Sequence, residues 1–339
     1  MSEIGSEFWE IPVCSKENDT IPQRALWFGS GRMAERFVIE DIKKQRPFRS
    51  VAMPSWCCHT MIEPFVRNGV EVHFYPVYPD ENGRLRQDLS QIPPCDGLFL
   101  VDYFGYSAET AIPAFTGSII RDVTHSLFSG AKNDADYVFG SLRKWAGFWT
   151  GGYAWKNDGD FQCNASTQTN DAYVVLRRQA MEEKFQYLSG QRENKGYLSV
   201  FSQAEEMLEL QTDIYTAADE DISAARQLNV ELLCNRRRRN AEILLEAVGE
   251  MALFPELRAA DCPLFVPILV PDRKRDAFRR HLIQQEIYCP VHWPVSEYHR
   301  LTPQTEKLYR EELSLVCDQR YTENDMDRIV EAMKGFWRK

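Results

Sequence analysis

Short apolar blocks and longer amphipathic stretches alternate through the first half of the chain. Apolar or alternating runs of strand length occur at 50–53, 70–77, 97–103, 118–122, 137–139 and 152–155. Short, mostly apolar runs are typical of strands that are covered on both faces. Residues 60–68 have a helical pattern and are followed by Gly69, in the position that ends helices. This alternation predicts an α/β fold with a mostly parallel sheet and helices on both faces.

The pattern changes twice in the second half. Residues 173–250 are helical in pattern and rich in charge. Beyond Pro255, the predicted strands are 264–270, 287–293 and 313–317, and the predicted helices are 273–285 and 324–337. These elements predict a small C-terminal α+β domain. We therefore expect three parts: a loose N-terminal arm (1–25), a large α/β domain with a helical extension (26–250), and a small C-terminal domain (251–339).

The charge balance narrows the range of partners. The chain has 339 residues and a formal net charge of -10, which disfavours nonspecific binding to nucleic acid. The run of four arginines at 236–239 lies in a helical stretch, and we interpret it as a solvated helix face. We therefore expect no nucleic-acid partner, and an anionic ligand would need a local patch of donors.

Cysteine usage and hydropathy indicate the compartment. The nine cysteines include no CxxC pair, and Cys57 and Cys58 are adjacent, which suits neither a usual disulfide nor a zinc site. Residues 1–30 have no apolar core of a signal peptide, and no apolar run approaches the roughly 18 residues that span a membrane. We expect a cytoplasmic protein with free thiols, no metal site and no membrane contact.

Two charged residues at strand ends carry the chemistry. Asp122 ends the apolar run 118–122, and Lys144 follows the run 137–139. Ligands of open α/β sheets bind outside the carboxyl ends of the strands, where these side chains can meet. A lysine that forms a Schiff base and an aspartate that keeps the pyridine nitrogen protonated are what pyridoxal phosphate (PLP) needs. Taken singly, Lys144 could also be an ordinary surface lysine, and Asp122 could be an aspartate that caps a turn.

Further candidates fall at the same edge of the predicted sheet. Residues 29–32 read Gly-Ser-Gly-Arg and open the first predicted helix, where free backbone N–H groups favour a phosphate. Residues 54–59, His125 and Ser141 also follow predicted strands. Each feature also has an ordinary interpretation. The glycine turn is typical of a helix start, His125 could be a histidine of the core, and Ser141 could be a serine in a loop. Their order and spacing together favour a cofactor site.

Over residues 22–335 the sequence resembles the DegT/DnrJ/StrS-type sugar aminotransferases, a PLP-dependent family of fold type I. The resemblance rests on Asp122-Val-Thr-His125, on Lys144 followed by Gly151-Gly152, and on the Ser30-Gly31-Arg32 turn. It implies that Lys144 is the Schiff-base lysine and Asp122 the partner of the pyridine nitrogen. It also implies that His125 lies near the phenolic oxygen of the cofactor, and that Ser141 and the 30–32 turn bind the phosphate.

This sequence departs from the family pattern at the residue that stacks on the pyridine ring. The family often has an aromatic residue there, and the aligned position is Cys58. Trp56 and His59 are the alternatives nearby. Residues 287–292 resemble the segment that closes over the active site in the family. The sequence is that of a divergent member.

The resemblance implies an aminotransferase that moves an amino group from an amino acid, with glutamate as the expected donor, to a keto sugar. The sugar is expected to be linked to a nucleotide and to serve polysaccharide or secondary-metabolite synthesis. A homodimer with shared active sites is also implied. Two alternatives remain: a PLP enzyme that acts on a non-sugar ketone, and a protein of the PLP fold that is regulatory or a scaffold and does not catalyse.

Overall fold

The computed structural model describes residues 3–80, 85–90, 92–107, 111–130, 132 and 134–338. Its strands, numbered in chain order, are β1 (Ile4–Gly5), β2 (Leu26–Phe28), β3 (Ser50–Pro54), β4 (Glu71–Tyr75), β5 (Val77–Pro79), β6 (Leu85–Gln87), β7 (Gly97–Val101), β8 (Ser118–Asp122), β9 (Tyr137–Ser141), β10 (Gly152–Lys156), β11 (Phe265–Leu269), β12 (Ile287–Tyr288) and β13 (Glu312–Val316).

The helices occupy the predicted stretches closely and include one that the pattern did not indicate, α8. They are α1 (Gly31–Gln45), α2 (His59–Arg67), α3 (Asp171–Leu188), α4 (Tyr197–Leu210), α5 (Asp219–Arg226), α6 (Val230–Val248), α7 (Arg275–Ile283), α8 (Pro303–Glu311) and α9 (Glu323–Trp337). Gly69 follows α2 with a φ of +70°, a left-handed conformation that favours glycine.

A seven-stranded sheet forms the centre of the molecule, in the order β2-β10-β9-β8-β7-β3-β4. Strands β9, β8, β7, β3 and β4 are mutually parallel, whereas β10 runs antiparallel to both of its neighbours. The predicted α/β architecture with a mostly parallel sheet is therefore confirmed. Both β7 and β9 are buried along their whole length, as strands covered on both faces are.

The register of β8 and β9 brings their carboxyl ends together. Asp122 pairs with Phe139, and the backbone N–H of Val123 donates to the carbonyl of Phe139 over 2.9 Å. A short 3₁₀ turn, Leu142–Lys144, begins directly after β9. The acid that ends one strand and the lysine that follows the next therefore leave the sheet at the same edge.

The first helix begins beside these strand ends. Ser30 caps α1, and its Oγ accepts a hydrogen bond from the backbone N–H of Met33 over 3.3 Å. Two glycines allow the turn to pack tightly. A Cβ on Gly31 would lie 3.2 Å from the Cβ of Ser141, and one on Gly152 would lie 2.1 Å from the carbonyl oxygen of Ser30.

The C-terminal elements pack around a second buried cluster. Strands β11 and β13 pair antiparallel, and α6, α7 and α9 contribute buried side chains to the same cluster. The N-terminal residues join it, because β1 pairs parallel with β12 and Ile4 is fully buried. The expectation of a loose arm is therefore wrong for these residues: backbone pairing and burial hold them in place.

Three further expectations need correction. The run 70–77 forms two strands, β4 and β5, because Pro76 between them has no N–H for the ladder. Of the stretch 287–293, only residues 287–288 form a strand. The arginine run is not wholly solvated, because Arg237 is fully buried and donates to the carbonyls of Leu264 and Trp145. Arg239 does lie at the surface, paired with Glu323.

Substituting Gly152 by alanine tests the tight contact with the first helix. The added Cβ cannot fit 2.1 Å from the Ser30 carbonyl oxygen, so the helix start must move. We expect Gly152→Ala to lower the free energy of unfolding by about 1–3 kcal/mol, measured by urea unfolding. Gly335→Ala in α9 is the matched control, since its Cβ would lie 3.9 Å from its nearest neighbour, His281 Nε2. Equal stabilities of the two variants would contradict the close approach.

Candidate active site

A cavity of about 740 Å³ opens at the carboxyl ends of the central strands. The predicted site residues that line it are Ser30, Gly31, Arg32, Cys58, Asp122, His125, Ser141 and Lys144. Residues from four separate stretches of the sequence thus meet in one cavity.

The part of the chain that the structure describes contains no helix that is long and apolar enough to cross a membrane.

Trp56 is the predicted site residue that lies outside the cavity wall. It is fully buried, it stacks on Tyr103 with ring centroids 5.1 Å apart, and its Nε1 donates to the carbonyl of His292 over 2.9 Å. The ring therefore belongs to the aromatic core behind the cavity. Its two-residue distance from Cys58 in sequence did not indicate this, because the chain bends at residues 55–57, just before α2 begins at His59.

One end of the cavity is formed by the start of α1 and the end of β9. The first N–H groups of a helix have no partner within it, and the helix dipole favours negative charge there. Ser141 lies against Gly31, and no hydrogen bond joins its Oγ to another described residue. Arg32 adds a cationic side chain to this end. This end can hold a phosphate group.

Asp122, at the end of β8, is a buried acid that lines the same cavity. It is 3% exposed, and its Oδ1 accepts a hydrogen bond from the backbone N–H of Thr124 over 2.8 Å. Burial raises the pKa of Asp122 to about 6, although the Thr124 hydrogen bond and the nearby Lys144 oppose that rise. A carboxylate in this position gains from a cationic partner inside the cavity.

Lys144 projects from the short turn after β9 and lines the cavity. No described residue forms a hydrogen bond or ion pair with its Nζ in this structure. Its charge nevertheless acts on the cavity, because it lowers the pKa values of both Asp122 and His125. The amine therefore shares the cavity with the buried acid, and no side chain among the described residues engages it.

His125 lies among aromatic rings and lines the cavity. Its ring is 5.5 Å from that of Trp293 at an interplanar angle of 26°, and 5.2 Å from Phe104. Burial lowers its pKa well below the ordinary value, and the neighbouring His292 and Lys144 lower it further. His125 is therefore neutral, and its buried Nδ1 has no partner among the described residues.

Cys58 occupies the cavity wall at the start of α2. Its Sγ accepts a hydrogen bond from the Thr60 hydroxyl over 3.2 Å and lies 3.9 Å from His59 Nδ1. Burial alone would raise the pKa of this thiol, but the His59 and Thr60 contacts lower it below the ordinary value. Aromatic side chains line other parts of the wall, among them Trp293 and Phe139.

A partly buried ion network next to the lysine was not predicted. Arg143 contacts Glu205 of α4, and Arg177 Nη1 lies 3.4 Å from the same carboxylate. Although burial alone would raise the pKa of Glu205, the two guanidinium groups lower it. Charged residues spaced along amphipathic helices gave no signal for this network, because most such residues face solvent.

The N-terminal residues form another wall that the sequence did not indicate. Glu3 is buried and pairs with Lys195 over 2.7 Å and with Lys184 over 3.3 Å. Glu3 and residues 5–8 contribute to the cavity lining, together with Tyr288 on β12. The first residues of the arm thus line the cavity.

Arg237 and Gln319 tie the C-terminal elements to the lysine turn. Gln319 Nε2 donates to the carbonyl of Trp145 over 2.7 Å, and Arg237 Nε donates to Gln319 Oε1 over 2.8 Å. Arg237 also donates to the carbonyl of Leu264 over 2.9 Å. The residue that follows Lys144 is therefore fixed by groups from the C-terminal third of the chain.

Comparisons with known proteins give a fold but no close relative. No family model and no curated protein matches the sequence. Among solved structures, the PseC aminotransferase of Helicobacter pylori aligns with a TM-score of 0.65 at 16% identity, covering 96% of this chain and 98% of that one. A DegT DnrJ EryC1 StrS aminotransferase of Brucella abortus aligns with a TM-score of 0.59 at 18% identity, covering 92% and 85%.

The sugar aminotransferase CalS13 of Micromonospora echinospora gives a similar result. Its TM-score is 0.60 at 16% identity, over 92% of this chain and 87% of that one. These alignments agree with the family that the sequence motifs resemble, and the low identities agree with a divergent sequence. The chain has the fold of the DegT/DnrJ/EryC1/StrS aminotransferases.

Proposed function

We propose that this protein is a PLP-dependent aminotransferase that transfers an amino group from an amino acid to a keto sugar. The observation that carries the proposal is the unengaged amine of Lys144 in one cavity with the buried carboxyl of Asp122. Perturbed ionisable groups that share a cleft favour a catalytic site. Glutamate is the amino donor that we expect.

The residues of the cavity fit PLP on three counts. The start of α1 and Ser141 offer donors for a phosphate. Asp122 can balance a protonated ring nitrogen, which would offset the cost of ionising it in a buried position. The buried Nδ1 of His125 has no partner among the described residues, so this ring has capacity for further hydrogen bonding. PLP, when bound, supplies an electron sink for charge that develops at the α-carbon of an amino acid.

Each side chain has a defined task in such a site. Lys144 would hold the cofactor covalently through its ε-amine and then, once released, move a proton to or from the α-carbon as general base and acid. Asp122 would remain ionised opposite the ring nitrogen. His125, being neutral, orients the ring without adding charge. Trp293 and Phe139 add apolar surface to the wall of the cavity.

The acceptor class follows from the solved relatives and from the size of the cavity. DesI was crystallised in the presence of its TDP-sugar product, and PseC is described as acting in the biosynthesis of pseudoaminic acid. A protein from Streptococcus pneumoniae with the same fold was solved in PLP and PMP forms. A volume of about 740 Å³ lies in the range of sites that enclose drug-sized ligands. We therefore infer a keto sugar linked to a nucleotide.

We further infer that residues 251–339 act as a small domain that covers the cavity. Trp293, Pro290 and Val316 from this part line it.

The nine cysteines are all unpaired, which supports a reducing compartment such as the cytoplasm.

A homodimer with shared active sites is the expected assembly. Apolar side chains of α3 and α4 are exposed in the single chain, among them Val175 at 61% and Leu210 at 76%. Clustered exposed apolar residues mark interaction surfaces. Sedimentation equilibrium of the purified protein should give twice the mass of one chain, and a monomer at micromolar concentration would contradict this expectation.

The identity of the reactive lysine can be tested by trapping. Incubation with PLP followed by borohydride should attach the cofactor irreversibly to Lys144, identified by peptide mass. Lys144→Ala should abolish the attachment and the transfer of the amino group. Lys195→Ala is the matched control, because Lys195 also lines the cavity but is paired with Glu3.

The product distinguishes the candidate functions. An amino sugar that forms from glutamate and a nucleotide-linked keto sugar supports the proposal. Turnover of glutamate with a non-sugar ketone alone would support the alternative acceptor. A protein that binds no PLP would exclude both and favour the regulatory or scaffold role.

Asp122→Asn should stabilise the ligand-free protein at neutral pH. The folded pKa of about 6 lies above the ordinary 3.8, so ionisation opposes folding. The penalty is absent below pH 4, grows as the pH rises toward 6 and then stays constant. It amounts to about 3 kcal/mol, which the variant should gain above pH 6. Urea unfolding between pH 4 and pH 8 measures it.

Asp158→Asn, which makes the same substitution at an exposed position, serves as the control. The same Asp122→Asn variant should bind PLP more weakly, because the balancing charge at the ring nitrogen is lost. A constant difference in stability between the variant and the wild type across this pH range would be incompatible with a raised Asp122 pKa.

A further inference from the structure

Glu35 is a buried acid that the proposed mechanism does not use. It lies on α1, one helical turn after Gly31, and the residue is 2% exposed. Helical side chains lean toward the N-terminus of their helix, which directs this carboxyl toward the phosphate-binding end of the cavity that it lines. Its Oε1 is buried and has no hydrogen-bond partner among the described residues.

Asp41 on the same helix shows how a structural buried acid is satisfied. Its Oδ1 accepts from the backbone N–H groups of Gln162 and Cys163 over 2.5 and 2.8 Å, and its Oδ2 accepts from Tyr137 over 3.0 Å. Burying a polar group without a partner costs free energy. Glu35 bears this cost at a cavity wall, where a ligand can supply the missing partner.

The groups around Glu35 determine its charge. Asp122 from β8 and Cys58 and Glu63 from the α2 region all disfavour a second negative charge, and Arg32 on its own helix favours one. Burial raises the pKa of Glu35 well above the ordinary value, and Asp122 raises it further. Two carboxyl groups in one low-dielectric site do not both ionise readily. Asp122 is the one stabilised by a backbone N–H, so Glu35 is the neutral carboxyl and can donate a hydrogen bond.

We propose that Glu35 is a cofactor-binding residue, a neutral carboxyl that donates a hydrogen bond which only a ligand in this cavity accepts. The inference rests on the proposed function, in which that ligand is PLP. Because Glu35 is neutral, Asp122 alone supplies the negative charge at the ring nitrogen. The Glu35 carboxyl thus lowers the stability of the ligand-free protein and contributes a hydrogen bond in the holoprotein.

Leucine and glutamine substitutions test this role through two measurements on the whole chain: urea unfolding without ligand, and the affinity for PLP by fluorescence titration. Glu35→Leu removes the unpartnered carboxyl, so it should raise the unfolding midpoint and weaken PLP binding about tenfold, as loss of one hydrogen bond does. Glu35→Gln keeps a neutral donor and should bind PLP within about twofold of the wild type.

Asp41→Asn is the matched control on the same helix. It disrupts a satisfied network, so it should lower the unfolding midpoint and leave PLP affinity unchanged. A lower midpoint for Glu35→Leu, or an unchanged PLP affinity in that variant, would overturn the assignment. If the wild-type protein binds no PLP, the proposed function fails, and if it binds PLP equally well without the Glu35 carboxyl, only this inference fails.

Discussion

The pairing of two neighbouring parallel strands sets the geometry on which the whole site depends. Backbone hydrogen bonds hold β8 and β9 in a register that aligns Asp122 with Phe139, so the lysine turn starts where the acid ends its strand. Side chains at the carboxyl ends of adjacent parallel strands diverge little, because the strands lie about 5 Å apart. The backbone register therefore brings the acid and the amine to one cavity, and the surrounding side chains adjust their environment.

The cavity concentrates groups whose charges are costly to bury. Arg143 and Glu205 offset one another, and the Thr124 N–H partly supports Asp122. Glu35 and the Nδ1 of His125 have no partner among the described residues. Sites that bind ligands commonly retain such unsatisfied groups, since a surface already saturated by its own hydrogen bonds has little to offer a ligand. The unsatisfied groups of the cavity thus lower the stability of the ligand-free fold at the place where a ligand would bind.

Local patterns in the sequence were enough for the framework of the site. Apolar runs predicted the central strands, the Gly-Ser-Gly turn predicted the start of α1, and strand-end logic placed Asp122 and Lys144 on one edge. These inferences succeed because hydrophobic periodicity and parallel topology act over short stretches. The resemblance to a family added the cofactor, which no pattern of strands could identify.

The remaining features depend on contacts between distant residues. Nothing local distinguishes Glu35 from an exposed helical acid, or Arg237 from its solvated neighbour Arg239. The arm pairs with β12 across more than 280 positions, so its composition alone suggested a loose segment. Trp56 was assigned to the cavity by its distance from Cys58 in sequence, although the packing of Tyr103 withdraws it into the core. Long-range packing decides such cases.

The buried guanidinium of Arg237 has a mechanical consequence. Through Gln319 and the carbonyl of Trp145, it braces the peptide next to Lys144 against the strand that starts at Phe265. A rigid-body rotation of the C-terminal third would therefore pull on the lysine turn directly, without passing through the cavity. Under the proposed function, a movement of the C-terminal third on substrate binding would be transmitted to Lys144 through these three side-chain hydrogen bonds.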